Sequence, residues 1–549
     1  MDDNGASRPN TLLKQKLLFW QLLLLASVGS FQCCSGARFL VPSITLIRTP
    51  SHHMTLTTIT QALVQRGHEV TFLIIDHQGA GGFLPDSYTS KIILPNPMTD
   101  QDLQEFIDIK DSLTDLINMT KLEAMRDPRP WKLKEYGDFG CGVLLENTAI
   151  LEQLRLANFD ELITYPIADI CDTLLAAYLD IPFIVVTGTK RVLAFHEGML
   201  GIPTPVSYVP FSIIFTPKLG HQMTLFERIQ NALMFYGAHS AIEYFTVYRH
   251  LRHLQRTYGI RPDLTPWQII SKADLWLCHN TWALEYPRPI APNWIPIGGL
   301  TIKEPRPLPE DLERFIQGSG DHGFIVFTLG SSNKALASGA LNDVISKVFS
   351  ELPQRILWRY FGEKPRYLGN NTLISEWLPQ NDLLAHPKAR LLIYHAGSAG
   401  VYEAMNYGVP MLLMPLIGDQ TTNAYQVAAK GMGLVLDVND LNEDEFRTSI
   451  NKLLNDESYR ISAQRASFIM RDQLASPLET AVFWIEHVIK FGGDHLRLRS
   501  TEMGFIELNS LDVVAFLVVL SLFILYIDYF VLRGCYRCVC RNMKKQKTD

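Results

Sequence analysis

Two rhythms of hydrophobic positions alternate along this chain, one with the spacing of strands and one with that of helices. Val70-Thr71-Phe72-Leu73-Ile74-Ile75, Leu162-Ile163-Thr164 and Phe183-Ile184-Val185-Val186 are short, near-continuous runs of β-branched and aromatic residues, as expected of parallel strands buried on both faces. The stretch Thr57–Gln65 has helical spacing and is stopped by Gly67. After a Pro/Gly-rich passage from Pro296 to Pro309 a second series begins, with strands predicted at Phe324–Phe327, Ile356–Trp358, Leu391–Tyr394 and Met411–Met414. Helices are predicted between them, including Ser338–Glu351 and Gly400–Tyr407. This alternation predicts an α/β protein of two Rossmann-like, doubly wound domains, residues 38–300 and 301–480, facing a central ligand cleft.

The ends of the chain have a different texture. Lys14 and Lys16 precede the apolar run Leu17–Ala26, and Ser35 and Ala37 have the small-residue spacing of a cleavage site. Residues 1–37 therefore read as a secretory signal peptide, the alternative being an N-terminal anchor that the shortness of the run disfavours. Residues 481–512 read as a returning helix and juxtamembrane segment. Val513–Leu532 is long enough to cross a hydrocarbon core of ~30 Å, and its one charge, Asp528, lies near its end. The tail 533–549 holds Arg533, Arg537, Arg541, Lys544, Lys545 and Lys547 against Asp549, which predicts a cytoplasmic tail and a luminal body. The expectation is a single-pass type I membrane protein.

Composition narrows this further. The 549 residues are 47% hydrophobic and 19% charged with a net charge of −6, which excludes a disordered chain and argues against nucleic acid as a partner. Only Cys141, Cys171 and Cys278 lie in the luminal part, so no disulfide framework is expected and at most one bridge. Cys535, Cys538 and Cys540 in the tail are palmitoylation candidates or plain thiols. Asn118 and Asn370 head N-glycosylation sequons. The apolar stretch Phe211–Tyr248 reads either as core or as a membrane-facing lip that admits apolar substrates.

Candidate chemistry gathers in the second series. Tyr394 ends a strand and leads into His395-Ala396-Gly397-Ser398-Ala399-Gly400, a small-residue turn that opens a helix and suits an anion. The turn lacks both the dinucleotide glycine spacing and a Walker lysine. Glu403 lies one helical turn further on, where a carboxylate can accept ribose hydroxyls. Asp419-Gln420 follows the next strand, and Trp377 and Gln380 offer an indole face and an amide upstream. Together they can read a base, a ribose, a diphosphate and a sugar. Asp100-Gln101-Asp102 has D-x-D spacing but reads as a solvated turn in a polar loop, and no His/Cys cluster has zinc spacing.

The run Trp377–Gln420 resembles the nucleotide-sugar signature of the UDP-glucuronosyltransferase family. The likeness extends to Ser51-His52-His53-Met54 ahead of Gln65–Val70, to Phe324–Ser331, to Phe483-Trp484-Ile485-Glu486 and to the apolar span with its lysine-rich tail. The resemblance implies a GT-B fold, an N-terminal acceptor domain, a C-terminal UDP-sugar domain and no metal or other cofactor. It further implies residence in the endoplasmic reticulum membrane, with Lys545 and Lys547 as a dilysine retrieval pattern. Carried over residue by residue, Trp377 stacks uracil, and Gln380 and Glu403 hold the ribose. Ser331, Arg359, His395, Gly397 and Ser398 contact or frame the diphosphate, and Asp419 and Gln420 bind sugar hydroxyls. His52, sixteen residues before His68, matches the general base, with His53 a competitor for the role.

Three positions depart from the family. Tyr165 stands where an Asp usually orients the catalytic histidine, leaving Asp169 and Asp172 as candidates to replace it. Ala396 and Ala399 stand where Gly and Asn are usual. His279 stands where glucuronic-acid users typically have Arg, so a neutral donor such as UDP-glucose or UDP-galactose is expected, with UDP-glucuronate still open. The leading expectation is an inverting UDP-glycosyltransferase that moves a hexose or glucuronic acid to a hydroxyl of a small lipophilic acceptor. The runner-up is a catalytically weak UDP-sugar-binding partner of active relatives, with homo- or hetero-oligomers as a corollary.

Overall fold

The computed structural model describes residues 36–43, 50–75, 88–96, 98–112, 127–165, 171–187, 202, 204–210, 219–220, 222–239, 244–329, 339–416 and 418–545, some side chains at the borders of these segments excepted. Residues 1–35, which hold most of the expected signal peptide, lie outside them. Two all-parallel sheets organise the chain. The first comprises β1 (Arg38–Ser43), β2 (Glu69–Ile75), β3 (Ser90–Leu94), β4 (Glu161–Thr164), β5 (Phe183–Thr187), β6 (Leu275–Cys278) and β7 (Trp294–Pro296), in the order β3-β2-β1-β4-β5-β6-β7. The second comprises β8 (Phe324–Thr328), β9 (Arg355–Arg359), β10 (Thr372–Ser375), β11 (Ala389–Tyr394), β12 (Met411–Leu413) and β13 (Gly433–Val435), in the order β10-β9-β8-β11-β12-β13.

Both orders run outward from a central strand and then reverse, between β1 and β4 in the first sheet and between β8 and β11 in the second. That reversal opens a crevice at the carboxyl ends of the two strands, where doubly wound sheets bind ligands. The strands themselves are the continuous apolar runs of the sequence: every residue of β5 and of β8 is buried. Helices on both faces supply the cover.

The helices that carry predicted site residues or connect the halves and the chain's end are α1 (Pro50–Gln65), α2 (Asp172–Leu179), α3 (Gln380–Ala385), α4 (Ser398–Asn406), α5 (Gln420–Ala429), α6 (Pro477–Phe491) and α7 (Leu511–Lys545). α1 begins seven residues before the predicted Thr57, because Pro50 is tolerated in a first helical turn, where its missing N–H has no intrahelical partner to lose. α6 begins at Pro477, ahead of the expected 481, through a capping box between Ser476 and Glu479 with proline at the first turn. Asp100-Gln101-Asp102 is a correction: it opens a helix, Asp100–Ser112, rather than lying in a loop. Asp102 accepts the amide and hydroxyl of Thr99 there, an exposed cap that holds its pKa low.

The chain leaves the first half twice and returns to it each time. Ala283 and Leu284 pack in the core of the second sheet, after which β7 returns to the first. α6 then leaves the second half and buries Ala481, Val482, Ile485 and Val488 among Phe39, Ile59 and Phe72 of the first. Each fully buried Val or Ile contributes ~1.5–3 kcal/mol. Arg66 and His68 meet Glu486 of α6 at 2.9 and 3.4 Å. Cys141 and Cys171 form a disulfide, and Cys278 is a buried thiol. α7 contains an apolar segment, Leu511–Arg537, with mean hydropathy 2.5 and no burial against the rest of the chain, a candidate membrane span.

Candidate active site

The residues predicted to bind the donor lie at the carboxyl edge of the second sheet. β9 ends in Arg359, β10 leads to Trp377, β11 leads to His395 and β12 leads to Asp419. Arg359 donates from Nε to the Glu376 carbonyl at 2.9 Å, and its guanidinium lies 5.3 Å from the Trp377 ring centroid, over one face. Burial lowers the Arg359 pKa. Trp377 remains 71% exposed, so its indole offers a large face to a flat partner.

Gln380, the first residue of α3, donates from Nε2 to Glu403 Oε2 of α4 at 2.6 Å. These two side chains, 23 positions apart, form one polar floor beside Trp377. Burial pushes the Glu403 pKa up to about 7, partly offset by the Gln380 hydrogen bond and reinforced by Asp382.

The turn at the head of α4 is tightly packed. Ala396 is buried with φ +65°, a left-handed conformation that favours glycine. Asn423 Nδ2 holds the Ala396 carbonyl at 3.0 Å and Asp419 Oδ2 at 2.9 Å, tying the β11 turn to the start of α5. Gly397 caps α4, and a Cβ on it would lie 2.6 Å from His395 Nε2. His395 is bonded to the backbone of Thr328, and burial drives its pKa down to about 3, so its ring is neutral. Tyr394 lies beneath the turn, its hydroxyl bound by the Gly400 amide and its pKa raised by burial. Ser398 is the first residue of α4, and Gln420 Oε1 accepts the Leu416 amide at 2.8 Å.

Most of the remaining predicted residues belong to the first half. His52 lies in the first turn of α1, directly after β1, but its side chain falls outside the described residues, as do Ser331, Asp169 and Asn118. Tyr165 is buried at the end of β4. Asp172, at the start of α2, accepts the Thr164 hydroxyl at 2.7 Å, and burial raises its pKa to about 7. Asn370 is exposed between β9 and β10. Among the described residues no group of three or more His, Cys, Asp and Glu side chains has a metal-binding arrangement.

His279 sits where the halves touch. It is 2% exposed, its ring meets Tyr402 of α4 edge-on at 4.7 Å, and its carbonyl accepts the Tyr402 hydroxyl at 2.8 Å. Beside it, Gln426 of α5 donates to Glu285 at 3.2 Å, and the buried Arg288 pairs with Glu285 at 3.1 Å. The contacts of His279 with Tyr402 and of Gln426 with Glu285 were not visible in the sequence, whereas the Asn423–Asp419 pair has the i,i+4 spacing of helical neighbours.

A family model described as UDP-glucoronosyl and UDP-glucosyl transferase matches residues 44–547. The chain belongs to this family. It is a UDP-glycosyltransferase. The transferase is 34% identical to UDP-glucuronosyltransferase 2A3 of Mus musculus over 523 residues, covering 93% of this chain and 96% of that protein. Its identity to UDP-glucuronosyltransferase 2B17 of Homo sapiens is 33% over 507 residues, covering 91% and 94%. Among solved structures, spinosyn forosaminyltransferase SpnP matches with TM-score 0.52 and 17% identity over 83% of this chain and 99% of that one. The calicheamicin glycosyltransferase CalG4 matches with TM-score 0.51 and 16% identity over 83% and 99%. These place the transferase in the GT-B architecture, two Rossmann-like domains around a cleft.

Proposed function

We propose that the transferase moves a hexose or glucuronic acid from a UDP-sugar to a hydroxyl of a small lipophilic acceptor, with inversion at the anomeric carbon. The observation that carries the donor half is the Gln380–Glu403 pair beside the exposed face of Trp377. In this reading uracil stacks on Trp377, and Glu403 accepts ribose hydroxyls with Gln380 holding it in place. Ser331, Arg359, His395, Gly397 and Ser398 frame the diphosphate, and Asp419 and Gln420 receive sugar hydroxyls. The amides at the head of α4 and the Arg359 guanidinium stabilise the charge that grows on UDP as the sugar leaves, and the reaction requires no metal.

On the acceptor side, His52 takes the hydroxyl proton while the oxygen attacks the anomeric carbon. This assignment rests on the register of His52 with His68. Asp169 or Asp172 orients the imidazole, and the raised pKa of Asp172 matches it to proton exchange with a histidine. The buried His279 ring, packed on Tyr402, presents no cationic fork to a sugar carboxylate, which favours a neutral donor.

An apolar surface supports the lipophilic acceptor. Leu225, Phe226, Ile229, Leu233 and Tyr236 follow helical spacing and are all exposed, with Tyr244 and Phe245 exposed nearby. With α7 as the anchor, this surface belongs against the luminal face of the endoplasmic reticulum membrane, where dissolved substrates arrive. The test is a screen in microsomes of UDP-glucose, UDP-galactose and UDP-glucuronate against phenols and sterols. His52→Ala should bind UDP and transfer nothing; unchanged turnover refutes the base. A clear preference for UDP-glucuronate refutes the neutral donor. UDP binding without transfer to any acceptor favours the partner role instead.

A further inference from the structure

A cavity lies at the amino edge of the first sheet. Parallel strands bring their first residues to one edge, so Glu161 at the start of β4, Phe183 at the start of β5 and Asp274 just before β6 lie together. This edge faces away from the carboxyl ends that carry the proposed active site. The end of α6 and the turn after it cover this edge, leaving a cavity of about 560 Å³. Ile181, Phe183, Leu264, Ile269 and Val488 give it an apolar wall.

The charged groups on that wall do not balance. Asp160, Glu161, Asp180, Asp274 and Asp494 face Arg261, Lys272 and Arg497. Arg261 is engaged by Asp263 at 3.0 Å, and Arg497 by Asp274 and Asp494 at 3.0 and 2.8 Å. Asp160 accepts the Arg38 amide at 2.7 Å. Glu161 is different: it is 1% exposed, and its Oε1 makes no hydrogen bond. A buried acceptor left this way destabilises the fold. Burial and the neighbouring carboxylates of Asp274 and Asp160 also raise its pKa, so a cation that donates to it would relieve both penalties.

We propose that this cavity binds a small organic ammonium ion, its N–H groups received by Glu161 and its hydrocarbon body lying on Phe183 and Leu264. A metal ion fits less well, because these carboxylates form no metal-binding group and Arg497 already occupies Asp274. The probe is n-butylammonium, titrated calorimetrically into the full-length protein in detergent, with n-butanol as the neutral control. Saturable binding of the ammonium alone, unaffected by saturating UDP, is expected. Glu161→Gln should weaken it at least about tenfold while leaving UDP affinity near wild type and not lowering the melting temperature. Ala177→Phe, which narrows the cavity from α2, should also block it and serves if the first variant does not fold. Equal binding by wild type and both variants, competition by UDP, equal binding of butanol or no saturable binding would each overturn the proposal.

Discussion

Glu403→Gln should make the transferase more stable and a poorer binder of UDP. In the fold the Glu403 carboxyl titrates at about 7 against an ordinary value of 4.5, because burial disfavours the charged form. A raised carboxyl pKa contributes stability that is fully present below 4.5 and lost as pH climbs through 7. At ~1.4 kcal/mol per pH unit, holding Glu403 ionised at pH 8 costs the fold at most about 3 kcal/mol. Glutamine carries no such cost and still offers a carbonyl to Gln380. Binding moves the other way: a charge-assisted bond to a ribose hydroxyl is worth ~1.5–3 kcal/mol, so UDP should bind roughly 10- to 100-fold more weakly. Thermal unfolding of both proteins without ligand from pH 5 to 8.5, with calorimetric UDP titrations at pH 8, checks both halves. The variant should gain several degrees at pH 8 and almost nothing at pH 5. In the wild type, UDP affinity should fall as pH drops below about 7, where Glu403 takes up a proton. A variant no more stable than wild type at pH 8, with unchanged UDP affinity, would refute both the buried charge and its place in the donor site.

Removing Glu285 takes the carboxylate partner from buried Arg288 and the acceptor from Gln426. Glu285→Ala should therefore cost ~3–5 kcal/mol, read as a lower denaturation midpoint. Breaking the Cys141–Cys171 bridge, whose partners are 30 residues apart, with Cys141→Ser and Cys171→Ser together should cost ~3–4 kcal/mol by the loop-closure argument. A double variant with an unchanged midpoint would show that the bridge does not constrain the unfolded chain.

Much of the fold was legible because parallel strands covered on both faces become unbroken apolar runs, as β5 and β8 show. Short edge elements such as β7 and β13 have three residues each, too few to establish a period. The D-x-D passage was misread because its polarity resembles a turn, while Thr99 before it was an available cue for a helix cap. At the site, residue types and spacing named Trp377, Gln380 and Glu403 separately. Only the three-dimensional arrangement showed that Gln380 and Glu403 share one hydrogen bond, since nothing in the sequence sets the distance between two helices. His279 was marked as a substitution, but its edge-on contact with Tyr402 depends on how the halves meet.

The return of α6 to the first half has a consequence for how the protein is made. The ribosome finishes β7 long before it delivers Ala481, Val482 and Ile485, residues that fill the core of the first sheet. At roughly 5–20 residues per second, that sheet waits on the order of ten seconds or more with part of its apolar face uncovered. The half that emerges first is thus completed last. Chain termination anywhere before α6 should therefore yield a product that needs chaperone protection, and exchanging halves between relatives should succeed only when α6 travels with the first half.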